Sequence, residues 1–246
     1  MNEDLKRWDE EAENWVEKIL PKRRIASALI LPELSRILGN VSGKKILDAG
    51  CGGGFVSAFL KNNGATMVGI DGSHRMLDYA KQTYPEIDFR MADLLERLEF
   101  PDSEFDAVVS SCVLMSLSNI ETFLSESARI LKPGGKLIVA VFHPAFNTPT
   151  MKLYKSFWAK IFRKPVSGLA FDYYQKTSKR KDAQGSKPWP FYHRTIQEYT
   201  RLFLKYFKLE EITEPNELPG EFLAQYPKLE YTTRLPRFIF FKLVKV

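Results

Sequence analysis

Four glycines in five positions, Gly50-Cys51-Gly52-Gly53-Gly54, follow directly on the apolar run Ile46-Leu47-Asp48-Ala49. Behind them, Phe55, Val56, Phe59 and Leu60 recur at helical spacing and Gly64 closes the segment. That order reads as strand, tight turn and helix. Glycine lets a backbone turn sharply and lets another group approach it closely. In an open parallel sheet, ligands bind beyond the carboxyl ends of the strands, which is where this turn would lie.

The same unit recurs along the chain. Thr66 to Ile70 predicts a second strand ending at Asp71, and Ser73 is a good N-cap for a helix through Ala80, stopped by Pro85. Ile87 to Met91 predicts a third strand ending at Asp93, and Phe105 to Ser111 a fourth. Ser118-Asn119-Ile120-Glu121 has the capping-box form and predicts a helix to Leu131. After the turn Lys132-Pro133-Gly134-Gly135, the run from Lys136 to Phe142 is apolar on both faces, as a central strand is. Strands alternating with helices predict right-handed βαβ units and an α/β, doubly wound sheet.

Upstream, Leu5, Trp8, Ala12, Trp15, Val16 and Ile19 predict a helix over residues 4–20, ended by Pro21. A second helix is expected from Arg24 to Leu38, interrupted near Pro32 and stopped at Gly39. Downstream, Thr195-Ile196-Gln197-Glu198 is another capping box. Two further strands, Lys208 to Thr213 and Arg237 to Val244, are joined by a proline-rich connection without a helix pattern, which favours an antiparallel closing pair. The expected organisation is a single domain over residues 1–246, with an N-terminal helical cap at 1–40 and an inserted segment at 145–192.

Composition removes several classes. Of 246 residues, 44% are hydrophobic and 27% charged, which excludes a disordered chain. Cys51 and Cys112 are the two cysteines, too few for a disulfide scaffold or a multi-cysteine zinc module, and no metal site is expected. They suit reduced thiols in the cytoplasm. Met1 to Lys6 is polar with no apolar leader behind it, and no apolar run nears the roughly 18 residues of a spanning helix.

The net charge of +6 is unevenly spread. Residues 152–187 hold ten basic side chains against Asp172 and Asp182, whereas the rest of the chain holds 26 basic and 28 acidic ones. The same segment carries Tyr154, Phe157, Trp158, Phe162, Phe171, Tyr173 and Tyr174. A solvated loop would not need so many rings, so this stretch is expected to pack over a pocket and to attract an anionic partner.

The ligand follows from charge. A dinucleotide fingerprint fails, because counting from Gly50 the third glycine position is Phe55 and counting from Gly52 it is Ser57. Asp48, two residues before Gly50, would oppose a pyrophosphate at the helix N-terminus and suits a cationic amino group and sulfonium instead. Asp71, 23 residues on, can accept both ribose hydroxyls, and Asp93 an exocyclic adenine amine. Three carboxylates on successive strand ends describe S-adenosylmethionine. This disfavours a nicotinamide oxidoreductase.

On these motifs the chain resembles the class I S-adenosylmethionine-dependent methyltransferases, especially their small-molecule, ubiquinone-type group. The motifs are Ile46 to Gly54, Val68 to Ser73 with Met76-Leu77, Met91-Ala92-Asp93-Leu94, Phe105 to Ser111, and Arg129 to Leu137, in the family's order. The resemblance implies a Rossmann-like seven-stranded sheet with the last strand antiparallel. It implies Asp48, Gly50 and Gly52 around the methionine moiety and Asp71 with Gly72 at the ribose. It implies Met76 on the adenine face, Asp93 and Leu94 at the adenine amine, and Ser110 lining the site. Trp15 matches an aromatic of the family's N-terminal helix that closes over the cofactor, and equally suits a core position.

A small-molecule acceptor under a lid made by residues 145–192 and the N-terminal helices is expected, with methyl transfer to oxygen or nitrogen. His143 and His193 are the candidate bases, and each suits a structural role as well. The lid's lysines favour an acidic substrate. DNA is not expected as a partner, because the segment after the fourth strand reads Ser110-Ser111-Cys112-Val113, without the Asn/Asp-Pro-Pro-aromatic turn. RNA methylation and a non-catalytic cofactor-binding scaffold stand as the alternatives.

Overall fold

The computed structural model describes residues 3–14, 24–146, 152–154, 168–170, 173, 177–180, 189–218, 220–226 and 235–246. Two helices come first, α1 (Glu3–Asn14) and α2 (Arg24–Leu38). Then follow β1 (Lys45–Ala49), α3 (Phe55–Asn62), β2 (Thr66–Asp71), α4 (His74–Thr83), β3 (Asp88–Met91), β4 (Phe105–Ser111), α5 (Glu121–Ile130) and β5 (Leu131–Phe142). The insertion contributes β6 (Lys152–Tyr154), β7 (Gly168–Ala170), β8 (Thr177–Arg180) and β9 (Trp189–Tyr192), and α6 (Ile196–Phe203), β10 (Phe207–Thr213), α7 (Gly220–Gln225) and β11 (Phe238–Lys245) complete the chain.

Seven strands form one sheet in the order β10-β11-β5-β4-β1-β2-β3. β11 is antiparallel to both β5 and β10, while β1 to β5 pair in parallel. The chain steps outward from β1 to β3 and then crosses back to place β4 on the other side of β1. That reversal opens a crevice at the strands' carboxyl ends.

Alternation along the strands feeds two cores. Ile46, Val109, Ile138 and Phe240 face α2, α3 and α4. Leu47, Val108, Val139 and Phe241 face α5 and α6, where Phe123, Tyr199 and Phe203 are buried. β4 and β5 are covered on both faces, which is why their sequences are apolar throughout.

Four local expectations change. The connection from β10 to β11, expected without a helix, holds the short helix α7. α2 runs unbroken through Pro32. The lost hydrogen bond and ring clash cost about 3 kcal/mol, but Leu29, Ile30, Leu34 and Ile37 are all buried on the sheet and hold the helix together. The Ser118–Glu121 capping box does not form. Asn119 Oδ1 accepts the Glu121 amide at 2.9 Å instead, while the Ser118 carbonyl accepts from Arg194. The Lys132–Gly135 turn lies within β5 as an irregularity, with pairing shifting between Phe105 and Ala107 on β4. The Thr195–Glu198 box forms as expected, with both its reciprocal bonds present.

Within the insertion, β6 pairs with β7 and β8 with β9, each antiparallel. Phe191 on β9 is buried and stacks on Phe142 with ring centroids 6.4 Å apart. Most of its lysines and rings lie outside the described residues, as does Trp15. No helix among the described residues is long and apolar enough to cross a membrane.

Loss of a side-chain cap costs about 1 kcal/mol. Thr195→Ala is therefore expected to lower stability to chemical denaturation by about that amount. Because Thr195 lies off the crevice, ligand affinity should be unchanged in the same protein, and calorimetry would check it.

Candidate cofactor site

The crevice at the sheet reversal encloses about 1110 Å³ of free space, part of it open to solvent. Its floor is the glycine turn, Gly50 to Gly53, and its walls include Asp71, Asp93, Met76, Leu94 and Val113. From α1, Leu5 and Trp8 close one side.

The turn is fastened to β2. The amides of Gly50 and Cys51 both donate to the Ile70 carbonyl, at 2.8 and 2.9 Å. Asp71 Oδ2 accepts the Gly52 amide at 2.8 Å, and Oδ1 accepts the Ser73 amide at 2.9 Å. Gly50 and Gly52 have φ of 78° and 51°, the left-handed region that glycine adopts without strain. A Cβ at Gly50 would sit 2.4 Å from Val113 Cγ2, whereas one at Gly52 would meet nothing within 4 Å. The backbone at Gly52 is therefore open to a bound group.

Asp71 keeps capacity for more hydrogen bonds, since a carboxylate offers about four acceptor directions. Burial pushes its carboxyl above the ordinary range, and the amides of Ser73, Gly52 and Gly72 oppose that shift. Asp93 lines the crevice with Oδ1 accepting the Leu95 amide at 2.9 Å.

Asp48 and Ser110 stand differently from the expectation. Asp48 is buried beneath the turn, off the crevice wall, with Oδ2 accepting the Ser57 hydroxyl at 2.6 Å. Burial pushes its carboxyl up to about 7; the Ser57 hydroxyl opposes the shift and the charge of Asp71 adds to it. Ser110 is also fully buried, and its neighbour Ser111 lines the crevice, because successive side chains of a strand point to opposite faces.

Neither candidate base lines the crevice. His143 is buried, its Nδ1 accepts the Ala145 amide at 3.1 Å, and its Nε2 donates to Glu214 Oε1 at 2.7 Å. With both nitrogens engaged, the ring ties the end of β5 to the segment after β10. Burial lowers its pKa and Glu214 only partly opposes this. His193 Nε2 donates to the Tyr173 carbonyl at 2.7 Å, joining the residue after β9 back to the insertion.

Several wall residues carried no motif in the sequence. Leu5 and Trp8 were legible only as a helix face and Phe55 as one inward position of its helix, while Ile30 was not singled out. Arg194 lies outside the crevice but shapes it. Its Nη1 donates to the carbonyl of Leu114 at 2.9 Å and its Nη2 to those of Leu117 and Ser118 at 2.8 and 2.9 Å. These carbonyls belong to the turn after β4, whose Ser116 and Leu117 line the crevice.

The sequence and the fold are similar to those of known proteins. The model of a family described as a methyltransferase domain matches residues 47–139. A demethylmenaquinone methyltransferase of Tropheryma whipplei is 37% identical over 145 residues, covering 56% of this chain and 60% of that protein, less than two thirds of its length. An uncharacterized protein of Haemophilus influenzae is 31% identical over 193 residues, covering 75% of each. The crystal structure of an S-adenosylmethionine-dependent methyltransferase from Mesorhizobium loti superposes with a TM-score of 0.73 at 24% identity, covering 87% of this chain and 96% of that one. Residues 47–139 are a methyltransferase domain by that match, and the fold is that of the S-adenosylmethionine-dependent methyltransferases. The family's cofactor, S-adenosylmethionine, fits the open backbone at Gly52 and the carboxylates of Asp71 and Asp93.

Charge on Asp48 would favour a cationic amino group above the turn, and that charge is present only above its pKa. Affinity for S-adenosylhomocysteine is therefore expected to rise as pH climbs through about 7. In Asp48→Asn that step should vanish, as calorimetry on either side of this pH would reveal.

Proposed function

We propose that this chain catalyses transfer of a methyl group from S-adenosylmethionine to a small molecule with an apolar body and an acidic group, at oxygen or nitrogen. The observation that carries the reading is the pairing, in one crevice, of the Asp71 carboxylate with walls that are otherwise mainly apolar. The cofactor supplies a methyl carbon on a positive sulfur, ready for in-line displacement. Asp71 holds the ribose hydroxyls, with Gly72 beside it. Asp93 and Leu94 hold the adenine edge, and Met76 packs on its face. The Gly50–Gly52 backbone and the buried charge of Asp48 receive the methionine end.

The chain's remaining task is to align the acceptor and keep water out. Leu5, Trp8, Ile30, Phe55, Val113 and Leu117 supply the dry walls for this. The Tropheryma relative's name points the acceptor towards quinone-type rings, and such a ring suits these walls. Residues 145–192 act as a lid and residues 1–40 as a helical cap. The lid's basic side chains favour an acceptor that carries negative charge. Acceptor orientation leads over proton removal here, since His143 and His193 are both occupied in holding the chain.

Labelled-methyl transfer into a small-molecule extract tests this directly. Labelled product is expected with the wild type and none with Asp71→Ala. Hydrogen bonds to a charged group contribute about 1.5–3 kcal/mol, so that variant should bind S-adenosylhomocysteine about 10- to 100-fold more weakly. Tight binding without labelled product would instead make the chain a scaffold. With the labelled acceptor in hand, charge reversal at Lys179, Arg180 and Lys181 should raise its KM; an unchanged KM would remove the acidic-substrate reading.

A further inference from the structure

Four residues of α1 fall on one helical face: Leu5, Trp8, Asp9 and Ala12. Each meets the cofactor crevice or the helix beside it. Leu5 and Trp8 line the crevice. Leu5 also occupies the space that a side chain at position 72 would need, because a Cβ built on Gly72 would lie 2.2 Å from Leu5 Cδ2. Ala12 is buried with Met76, and Tyr79 packs against them.

Between these apolar contacts sits a polar latch. Asp9 Oδ1 accepts the Ser73 hydroxyl at 2.8 Å and the Arg75 amide at 3.0 Å. Ser73 is the N-cap of α4 and its own Oγ accepts the Met76 amide. Asp9 therefore satisfies a second free amide at the same helix end, from a helix more than sixty residues away in sequence. Negative charge is favourable there. Burial alone would raise the Asp9 pKa, but the Arg75 amide, the Ser73 hydroxyl and the nearby charges of Arg75 and His74 outweigh it and keep the carboxylate ionised. Ser73 has a further link, since its amide donates to Asp71, the carboxylate assigned above to the ribose.

We propose that Asp9 is a positioning residue which holds α1 closed over the cofactor crevice and so sets the rate of cofactor exchange. The proposal rests on the cofactor reading given above. Leu5 is seated against Gly72, next to Asp71, so a nucleoside held by that carboxylate is covered by α1. Its release requires Leu5 and Trp8 to lift, and lifting them breaks the Asp9 latch. The apolar contacts of Leu5 and Ala12 guide the helix to its seat, and the latch decides how often it leaves.

The test compares wild type, Asp9→Ala and Asp9→Asn by two measurements. One is the dissociation rate of S-adenosylhomocysteine in stopped flow. The other is amide hydrogen exchange in the peptide spanning α1. A cap bond is worth a factor of about five, so Asp9→Ala should release S-adenosylhomocysteine about fivefold faster and exchange faster in α1. Asp9→Asn keeps an oxygen in the same place without the charge, and should restore part of both. Faster exchange in α1 with an unchanged dissociation rate would overturn the gate, and unchanged exchange in α1 would overturn the latch. Failure of the wild type to bind S-adenosylhomocysteine at all would overturn the cofactor reading and the gate with it, an outcome separable from the others because the exchange measurement needs no ligand.

Discussion

The bond between Asp71 and the amide of Gly52 organises this molecule's functional end. It joins the last residue of β2 to the glycine turn after β1, and both lie on the wall of one crevice. The same carboxylate accepts the Ser73 amide, so it also fixes the entry to α4. One side chain thereby sets the relative position of two strand ends and a helix start. A neutral amide side chain could take only part of this load, because its nitrogen cannot accept.

Below that bond the electrostatics are tightly spaced. Asp48 is buried near enough to Asp71, 23 residues on in the sequence, for the charge of Asp71 to make its own ionisation costlier. Cys51 between them has its thiol pushed well up by burial and by both carboxylates. A crowded set of acidic groups in a dry floor is poorly suited to an anionic ligand and well suited to one with a positive end. The apolar walls above it leave few competing hydrogen-bond partners, which makes the few polar groups decisive for orientation.

Much of the fold was legible because its signals are local. The turn at Gly50–Gly54, the N-cap at Ser73 and the alternation of apolar strands with helices each constrain their own few residues. β4 was bounded correctly from Phe105 to Ser111 for that reason. What escaped needed distant partners. Pro32 reads as a break until the burial of Leu34 and Ile37 is known. Ser118-x-x-Glu121 reads as a capping box until Arg194 is seen to hold the Ser118 carbonyl. Asp48 and Ser110 lie on strands that reach the crevice, but their side chains lead away from it or stop beneath its floor. His143 and His193 stood as candidate bases beside a structural reading because nothing in the sequence marks Glu214 or the Tyr173 carbonyl as their partners.

Arg194 carries a consequence for how such a chain can diversify. The segment from 145 to 192 leaves the sheet after β5 and returns through β9, where Phe191 is buried and Arg194 grips the turn after β4. The basic stretch is thus attached to the crevice wall at its returning end through main-chain carbonyls, which every residue possesses. Loop length and composition can drift upstream of that grip without redrawing the wall. A lysine in its place would lack the planar fork needed to span those oxygens. On the proposed reading, acceptor preference would be remodelled in one part of the chain while the part proposed to hold the nucleoside is left as it stands.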